Sequence, residues 1–324
     1  MKGNHKNSIS IISGNANPQL AKAICRKLGI HLDRVAIGRF PDGEIRVQIE
    51  ENIRGKDLFI IQSICQSPND HLMELLILID AAKRASAQRI TAVLPYYGYG
   101  RQDRKDRPRV PITAKLVANL LQTSGANRIL TMDLHSNQIQ GFFDIPFDHL
   151  YSINVLCPYL IQRKKKDREF VVASTDVGGI KMARAYANRL NCNLAIVDKR
   201  REDASTTHAM HIIGNVKDCD VVIVDDMVTT AGSLVEAVSA IKRAGAREIY
   251  AAIVHPVLVG PAISRLQKSG LKELVVTDTI PLPSEKRIRK IKVRSVAGLL
   301  AEAIHRIHQN QSVSSLFRSV SVES

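Results

Sequence analysis

Val221-Val222-Ile223-Val224-Asp225-Asp226-Met227-Val228-Thr229-Thr230-Ala231-Gly232-Ser233 reads as a buried strand, an anion cradle and the start of a helix. Val221 to Val224 are apolar and mostly β-branched, without alternation, which suits a strand covered on both faces in a parallel sheet. Two aspartates end the run. Thr229 to Ser233 supply small and hydroxyl side chains where the chain turns. From Leu234 the apolar spacing is helical (Leu234, Val235, Val238, Ile241), and Gly245 ends the helix. A loop entering a helix presents free backbone N–H groups, and the helix dipole favours an anion there. Asp225 and Asp226 repel an anion but suit neutral hydroxyls, such as a ribose diol, or Mg²⁺. Diol and phosphate together describe a sugar phosphate. The same residues also suit an ordinary βα turn whose hydroxyls cap the helix.

Working outward, the 324 residues suffice for roughly two domains of ordinary size. The chain is 45% hydrophobic and 24% charged, a globular composition. Aromatics make up 4% and Trp is absent, so a stacking platform for single-stranded nucleic acid is not expected. Five scattered cysteines without a Cys-x-x-Cys pair point to reduced thiols and a cytoplasmic protein rather than a disulfide framework or a zinc site. The polar start, Met1 to Ser8, does not read as a signal peptide. No apolar run reaches the ~20 residues of a membrane span. The net charge of +15 suits polyphosphate substrates as well as nucleic acid. The run Arg163-Lys164-Lys165-Lys166 reads as a solvated helix end.

Strand and helix patterns alternate along the whole chain, which predicts parallel sheets covered by helices. The clearest strands are Ser8 to Ser13, Asp57 to Gln62, Ile90 to Leu94, Arg128 to Met132, Phe170 to Ser174, Glu248 to Val254 and Glu273 to Thr277. The stretch Leu150 to Pro158 reads as the crossover between two halves, 1–150 and 151–324. Pro95 to Pro111 mixes tyrosines with cations, which suits stacking a base and gripping phosphates but equally an exposed basic loop. Asp133-Leu134-His135 and Thr175-Asp176-Val177-Gly178-Gly179 follow strands, and open α/β sheets bind ligands at strand carboxyl ends. Asp198 to His208 reads as a mobile, cation-rich loop. The tail Ser319 to Ser324 reads as frayed. No P-loop and no Gly-x-Gly-x-x-Gly after the first strand are present, which argues against a P-loop NTPase and a nicotinamide site.

Several stretches together resemble one family, the ribose-phosphate pyrophosphokinases, or phosphoribosyl pyrophosphate synthetases, of the class I type. They are Phe40-Pro41-Asp42-Gly43-Glu44, Arg101-Gln102-Asp103-Arg104, Asp133-Leu134-His135, Gln138-Ile139-Gln140-Gly141-Phe142-Phe143-Asp144, Asp176-Val177-Gly178-Gly179, Val197-Asp198-Lys199-Arg200-Arg201 and the Asp225-to-Ser233 loop. The resemblance runs from about Ser13 to Phe317. It implies two similar domains of the type I phosphoribosyltransferase-like kind. It also implies Mg²⁺-dependent transfer of the β,γ-diphosphate of ATP to the 1-hydroxyl of ribose 5-phosphate, giving phosphoribosyl pyrophosphate and AMP for nucleotide biosynthesis.

The resemblance further assigns roles. Thr229, Thr230, Ala231, Gly232 and Ser233 would hold the 5-phosphate, with Asp225, Asp226 and Arg201 also on the sugar phosphate. Lys199 and Arg201 match the catalytic loop cations, whose work would be electrostatic. His135 and Asp176 match the Mg²⁺ ligands, although Mg²⁺ prefers oxygen. Phe40, Asp42, Gly43, Glu44, Arg101 and Gln102 match the ATP site, with Phe40 lining the adenine pocket. The Phe40–Glu44 turn would reach the site from a neighbouring subunit, so a homo-oligomer is expected, a hexamer built from dimers. Arg54, Lys105, Arg107, Ser312 and Ser314, with Gln140, Asp148 and His149, look like positions of an allosteric site activated by inorganic phosphate and inhibited by ADP.

Some positions depart from the family pattern. Thr229 and Ser233 replace the aspartate and threonine common in the loop, Thr175 stands where proline is frequent, and Pro108 stands where serine is. The expected partners are ATP, ribose 5-phosphate and further copies of the chain, with no nucleic acid and no membrane. A non-catalytic regulatory homologue is the alternative, and the retained Lys199/Arg201 pair argues against it. A phosphoribosyltransferase would share the central loop but has no need of the Phe40–Glu44, Arg101–Arg104 and Lys199–Arg201 stretches.

Overall fold

The first sheet is laid down by β1 (Ile9–Ser13), helix α1 (Pro18–Leu28), β2 (Val35–Arg39), β3 (Ile45–Ile49), β4 (Asp57–Ile61), α2 (Pro68–Arg84), β5 (Arg89–Leu94), α3 (Thr113–Ser124), β6 (Arg128–Met132) and β7 (Phe147–Leu150). The computed structural model describes residues 8–199 and 210–316. Strands β1-β4-β5-β6-β7 lie side by side in that order, all parallel. Every residue of β4 is buried, as an unalternating apolar run requires when helices cover both faces. β2 and β3 form a separate antiparallel hairpin; β3 alternates between half-buried and exposed, and β2 does so up to Ile37.

The second sheet is built from α4 (Ile153–Ile161), β8 (Phe170–Ser174), α5 (Ile180–Leu190), β9 (Asn193–Lys199), β10 (Met210–Ile213), β11 (Asp220–Val228), α6 (Gly232–Arg243), β12 (Ile249–Pro256), α7 (Ala262–Lys268), β13 (Glu273–Thr277) and β14 (Ile291–Arg294). Its order is β10-β9-β8-β11-β12-β13-β14. All pairs are parallel except β10 with β9 at one edge. From β8 the chain builds outward to β9, then returns to lay β11 on the other side of β8. The strand order reverses between β8 and β11, and such a switch point opens a crevice at the carboxyl edge.

The chain divides into two compact units. One gathers residues 8–151, Thr279–Pro281 and 296–316; the other holds Ser152–Asp278 and Leu282–Ser295. The last helix, α8 (Ala297–His308), therefore packs with the first sheet, against α1. The two-part division at 150/151 leaves this return out. Arg89 donates from Nη2 to the Ile307 carbonyl at 2.9 Å, and His308 Nδ1 lies 2.9 Å from Asp57 Oδ2, which ties the helix to the starts of β4 and β5. Ser63, fully buried, donates to the Thr279 carbonyl at 2.6 Å and holds the shorter return.

The alternation predicted from sequence is the architecture found: parallel sheets flanked by helices. Three elements differ. The presumed crossover Leu150 to Pro158 contains the end of β7 and most of α4, with Pro158 inside the helix, where proline reads as a break. β10 and β14 are short edge strands with too few residues to show a pattern. Among the described residues no helix is long and apolar enough to cross a membrane. Four of the five cysteines are buried and Cys192 is half-buried. Burial pushes the Cys25 thiol up to about 11 and that of Cys157 to about 12, so neither is a ready nucleophile. The tail from Ser319 lies outside the described residues.

Candidate active site

The central stretch does not end at its aspartates. β11 continues through Asp225, Asp226 and Met227 to Val228, and β12 accompanies it to the Val228–Pro256 pair. On the other side, pairing with β8 stops at Val224 opposite Ser174. From Asp225 onward β11 therefore has a partner on one side only, and the crevice opens on the other. Thr229 to Ala231 turn the chain, and α6 begins at Gly232. Val235 N–H bonds the Ala231 carbonyl, so the amides of Gly232, Ser233 and Leu234 have no carbonyl a turn earlier to bond. Ala231 sits at φ 58°, a left-handed conformation that costs a non-glycine residue and is found where a site imposes it.

These residues line a cleft of about 200 Å³ together with Thr175, Asp176, Met227 and Ile253. Its floor is amide-rich and hydroxyl-rich, with Thr229, Thr230 and Ser233 over a helix N-terminus. That combination attracts a dianion. Its wall is Asp225. The Asp225 carboxyl is pushed up to about 7, first by burial and next by the neighbouring Asp226 carboxylate. Two hydrogen bonds oppose the shift: Thr175 Oγ1 donates to Asp225 Oδ2 at 2.7 Å, and Asp226 N–H donates to Asp225 Oδ1 at 2.9 Å. Asp225 lines the cleft; Asp226, half-buried beside it, is not among the lining residues.

Asp176 stands at the mouth, one residue past Thr175. Its Oδ1 accepts the Gly179 N–H at 2.9 Å, which leaves the other oxygen for a ligand. A Cβ at position 179 would lie 2.6 Å from Ser174 Oγ, so the glycine serves the close return of the α5 start over β8. Arg265 was not singled out from sequence. It reaches over from α7, donating from Nη1 to the Thr230 carbonyl at 3.0 Å, and so holds the loop. Met227 and Ile253 were also unforeseen. They are apolar strand residues with no sequence signal of their own. Lys199 is the last residue of β9, placed by its backbone, and Arg201 lies outside the described residues.

In the other unit, Phe40 to Glu44 form the tip of the β2–β3 hairpin, every residue exposed. Gly43 at φ 96° closes the turn, with its N–H on the Phe40 carbonyl at 2.9 Å. Phe40 remains 46% exposed, with the Arg46 guanidinium 5.9 Å from its ring centroid. Arg101 and Gln102 are exposed; Gln102 takes a hydrogen bond from the Thr113 hydroxyl. His135 is exposed just after β6. Ahead of it, buried Asp133 has a φ of 35° and gives its N–H to the Leu150 carbonyl at 3.0 Å. Burial and then the Asp133 charge raise the Tyr151 hydroxyl above its ordinary value.

The residues matched to an allosteric site divide. Arg54, Lys105, Arg107, Ser312 and Ser314 are exposed, and Arg54 Nη1 donates to Ser86 Oγ at 3.1 Å. Asp148 and His149 are buried in β7. Asp148 pairs with Arg128; His149 Nε2 accepts the Leu134 N–H at 2.9 Å and its Nδ1 lies 3.3 Å from Gln140 Nε2. A second cleft, of about 230 Å³, lies at the amino edge of the first sheet around Asp57, Arg89 and His308. Those charged groups are already paired with one another.

The fold and cleft define a class: an α/β protein of parallel sheets, with an anion cradle and an aspartate at a switch point of one of them. The model of the N-terminal domain of ribose phosphate pyrophosphokinase matches residues 9–125, and that of the phosphoribosyl synthetase-associated domain matches residues 201–318. A ribose-phosphate pyrophosphokinase from Caldanaerobacter subterraneus subsp. tengcongensis is 55% identical over 313 residues, covering 97% of this chain and 99% of that protein. One from Fusobacterium nucleatum is 51% identical, covering 96% and 98%. The crystal structure of phosphoribosylpyrophosphate synthetase from Mycobacterium smegmatis superposes with a TM-score of 0.89 at 40% identity, covering 94% of this chain and 99% of that one. The chain belongs to the ribose-phosphate pyrophosphokinase family and is an enzyme of that kind.

Proposed function

We propose that the protein transfers the β,γ-diphosphate of ATP to the 1-hydroxyl of ribose 5-phosphate, giving phosphoribosyl pyrophosphate and AMP for nucleotide biosynthesis in the cytoplasm. The observation that carries this is the cleft beside β11. It joins an amide-and-hydroxyl cradle suited to a phosphate with a carboxylate suited to sugar hydroxyls. The activity for which the relatives are named agrees with it.

In this reading the amides at the start of α6 and the hydroxyls of Thr229, Thr230 and Ser233 bind the 5-phosphate. Asp225 and Asp226 accept hydrogen bonds from the ribose hydroxyls. That task needs Asp225 ionised, so sugar binding weakens as pH falls below about 7. Phe40, Asp42, Gly43 and Glu44 of a neighbouring copy, with Arg101 and Gln102, bind ATP. The exposure of the hairpin tip, with nearly half of the Phe40 surface open to solvent, supports that sharing, because an exposed aromatic ring gains by being covered. Lys199 and Arg201 stabilise charge on the transferring diphosphate.

The donor set fits Mg²⁺ held partly by substrate. Among the described residues no group of three or more His, Cys, Asp or Glu side chains converges, so no all-protein cage is built. In this reading Asp176, which keeps a carboxylate oxygen for a ligand, and His135 would each hold Mg²⁺, with ATP phosphates as further oxygen donors. Bound there, Mg²⁺ supplies charge neutralisation on the phosphoryl oxygens. The assembly is a homo-oligomer, a hexamer built from dimers, with Arg54, Lys105, Arg107, Ser312 and Ser314 as contacts for activating phosphate. Following the ³¹P spectrum of protein with ATP, ribose 5-phosphate, Mg²⁺ and phosphate tests the reaction. AMP together with a sugar 1-diphosphate resonance is expected. ADP would mean single-phosphoryl transfer and overturn the reading. No turnover with ribose 5-phosphate still bound would point to a regulatory homologue.

A further inference from the structure

The β8–β11 ladder runs from Phe170 opposite Asp220 to Ser174 opposite Val224 and stops there. The next two residues, Thr175 and Asp225, face each other across the opening crevice. The link between them is made by side chains, Thr175 Oγ1 to Asp225 Oδ2 at 2.7 Å. This bond does what a backbone rung does lower in the sheet, at the position where the strands must part to admit a ligand. We propose that Thr175 is a positioning residue for sugar binding: its hydroxyl, bonded across the switch point, holds the Asp225 carboxylate facing the ribose hydroxyls. The inference rests on the ribose 5-phosphate reading of the cleft.

The need for such a bond follows from the surroundings. Asp226 repels Asp225, and β11 has no neighbour on the crevice side to restrain the side chain. An Asp side chain with one hydrogen bond turns freely about its last torsion. Asp226 N–H takes Oδ1 at 2.9 Å and Thr175 takes Oδ2, one bond on each oxygen, and the Asp226 carboxyl is hydrogen-bonded to the same group. A carboxylate offers about four acceptor directions, so these bonds leave room for a sugar hydroxyl. Thr175 is itself 8% exposed and its rotamer is packed in place. Neither valine, with the same shape, nor proline, without a hydroxyl, supplies the donor.

The test measures ribose 5-phosphate binding calorimetrically to the intact protein and to T175V, T175S, D225N and T175V/D225N, with KM and kcat alongside. Losing a hydrogen bond to a charged group weakens binding about tenfold, so T175V is expected to raise the ribose 5-phosphate Kd and KM by that factor. KM for ATP and kcat stay near the wild-type values. T175S, which restores the hydroxyl, recovers wild-type binding. In the D225N background T175V has little further effect, because the group it positions is already altered. The inference is overturned if T175V binds as the wild type does, if T175S fails to recover, or if T175V costs the same tenfold in D225N. A melting curve for each variant separates lost folding from lost binding, and T175S carries the test should T175V not fold. A wild-type protein that neither binds nor turns over ribose 5-phosphate overturns the underlying reading instead. One that does both while ignoring Thr175 overturns this inference alone.

Discussion

At the scale of the residue, Asp225 is where stability and function oppose each other. Its carboxyl keeps its proton to about pH 7 in the fold, against 3.8 for an ordinary aspartate. Between those values the unfolded chain holds fewer protons than the folded one. Stability therefore falls as pH rises through that window, by about 1.4 kcal/mol per pH unit, and levels off above it. Asp225→Asn removes the titrating group and with it the loss. Its melting temperature should exceed that of the wild type by more at pH 8 than at pH 4.5, while ribose 5-phosphate binding weakens. A gap independent of pH would show that Asp225 titrates normally. Lys199 carries a different expectation. Lys199→Ala should lower kcat by about 10²–10³ with ribose 5-phosphate binding retained, as loss of a transition-state charge contact does. Wild-type turnover in that variant would remove Lys199 from the role. Asp225, Thr229 and Ser233 are legible in the sequence because an anion cradle has a local signature: apolar run, carboxylates, small hydroxyl residues, helix. The partner of Asp225 is not legible, since Thr175 lies 50 positions away and only the strand order brings the two together.

At the scale of the element, α7 acts as a brace. Lys290 gives its ammonium to the carbonyls of Leu266, Gln267 and Ser269 at 3.1, 3.0 and 2.8 Å, closing the helix end where carbonyls lack partners. From the same helix Arg265 holds the Thr230 carbonyl. The two contacts separate in their consequences. Lys290→Met should cost about 1–2 kcal/mol of stability, read from denaturant midpoints, and leave KM for ribose 5-phosphate unchanged. Arg265→Ala should raise that KM about three- to tenfold with a smaller stability loss, because the loop loses its tether. Equal effects on KM from both variants would mean that the helix as a whole, and not Arg265, orders the loop. The role of Arg265 is not legible in the sequence, since the bond spans 35 positions. For the same reason the switch point between β8 and β11 was out of reach. Local patterns identify strands, whereas neighbours in a sheet are set by the packing of the whole unit. The short β7, β10 and β14 carry weak local signals, and Pro158 blurs the start of the helix that ends before Arg163.

At the scale of the whole molecule, the residues proposed for the site come from both units, and one group is assigned to a neighbouring copy. Phe40 to Glu44 project from the hairpin into solvent. Exposed Leu116 and Leu120, four residues apart and so on one face of α3, add apolar surface to the same unit. If the hairpin completes the nucleotide site of a neighbouring copy, two defective chains must rescue each other. Phe40→Ala spoils what a chain lends; Asp225→Asn spoils what it keeps. Each variant alone should be nearly inactive. After mixing under conditions that exchange subunits, sites with an intact hairpin from one chain and an intact cleft from the other appear. With random exchange of equal amounts, roughly a quarter of sites in a symmetric assembly are whole. Activity should climb toward that share of wild type and fall again on dilution, as the assembly dissociates. A mixture that stays as inactive as its components, with exchange verified by mass, would place the hairpin and the cleft it serves in the same chain.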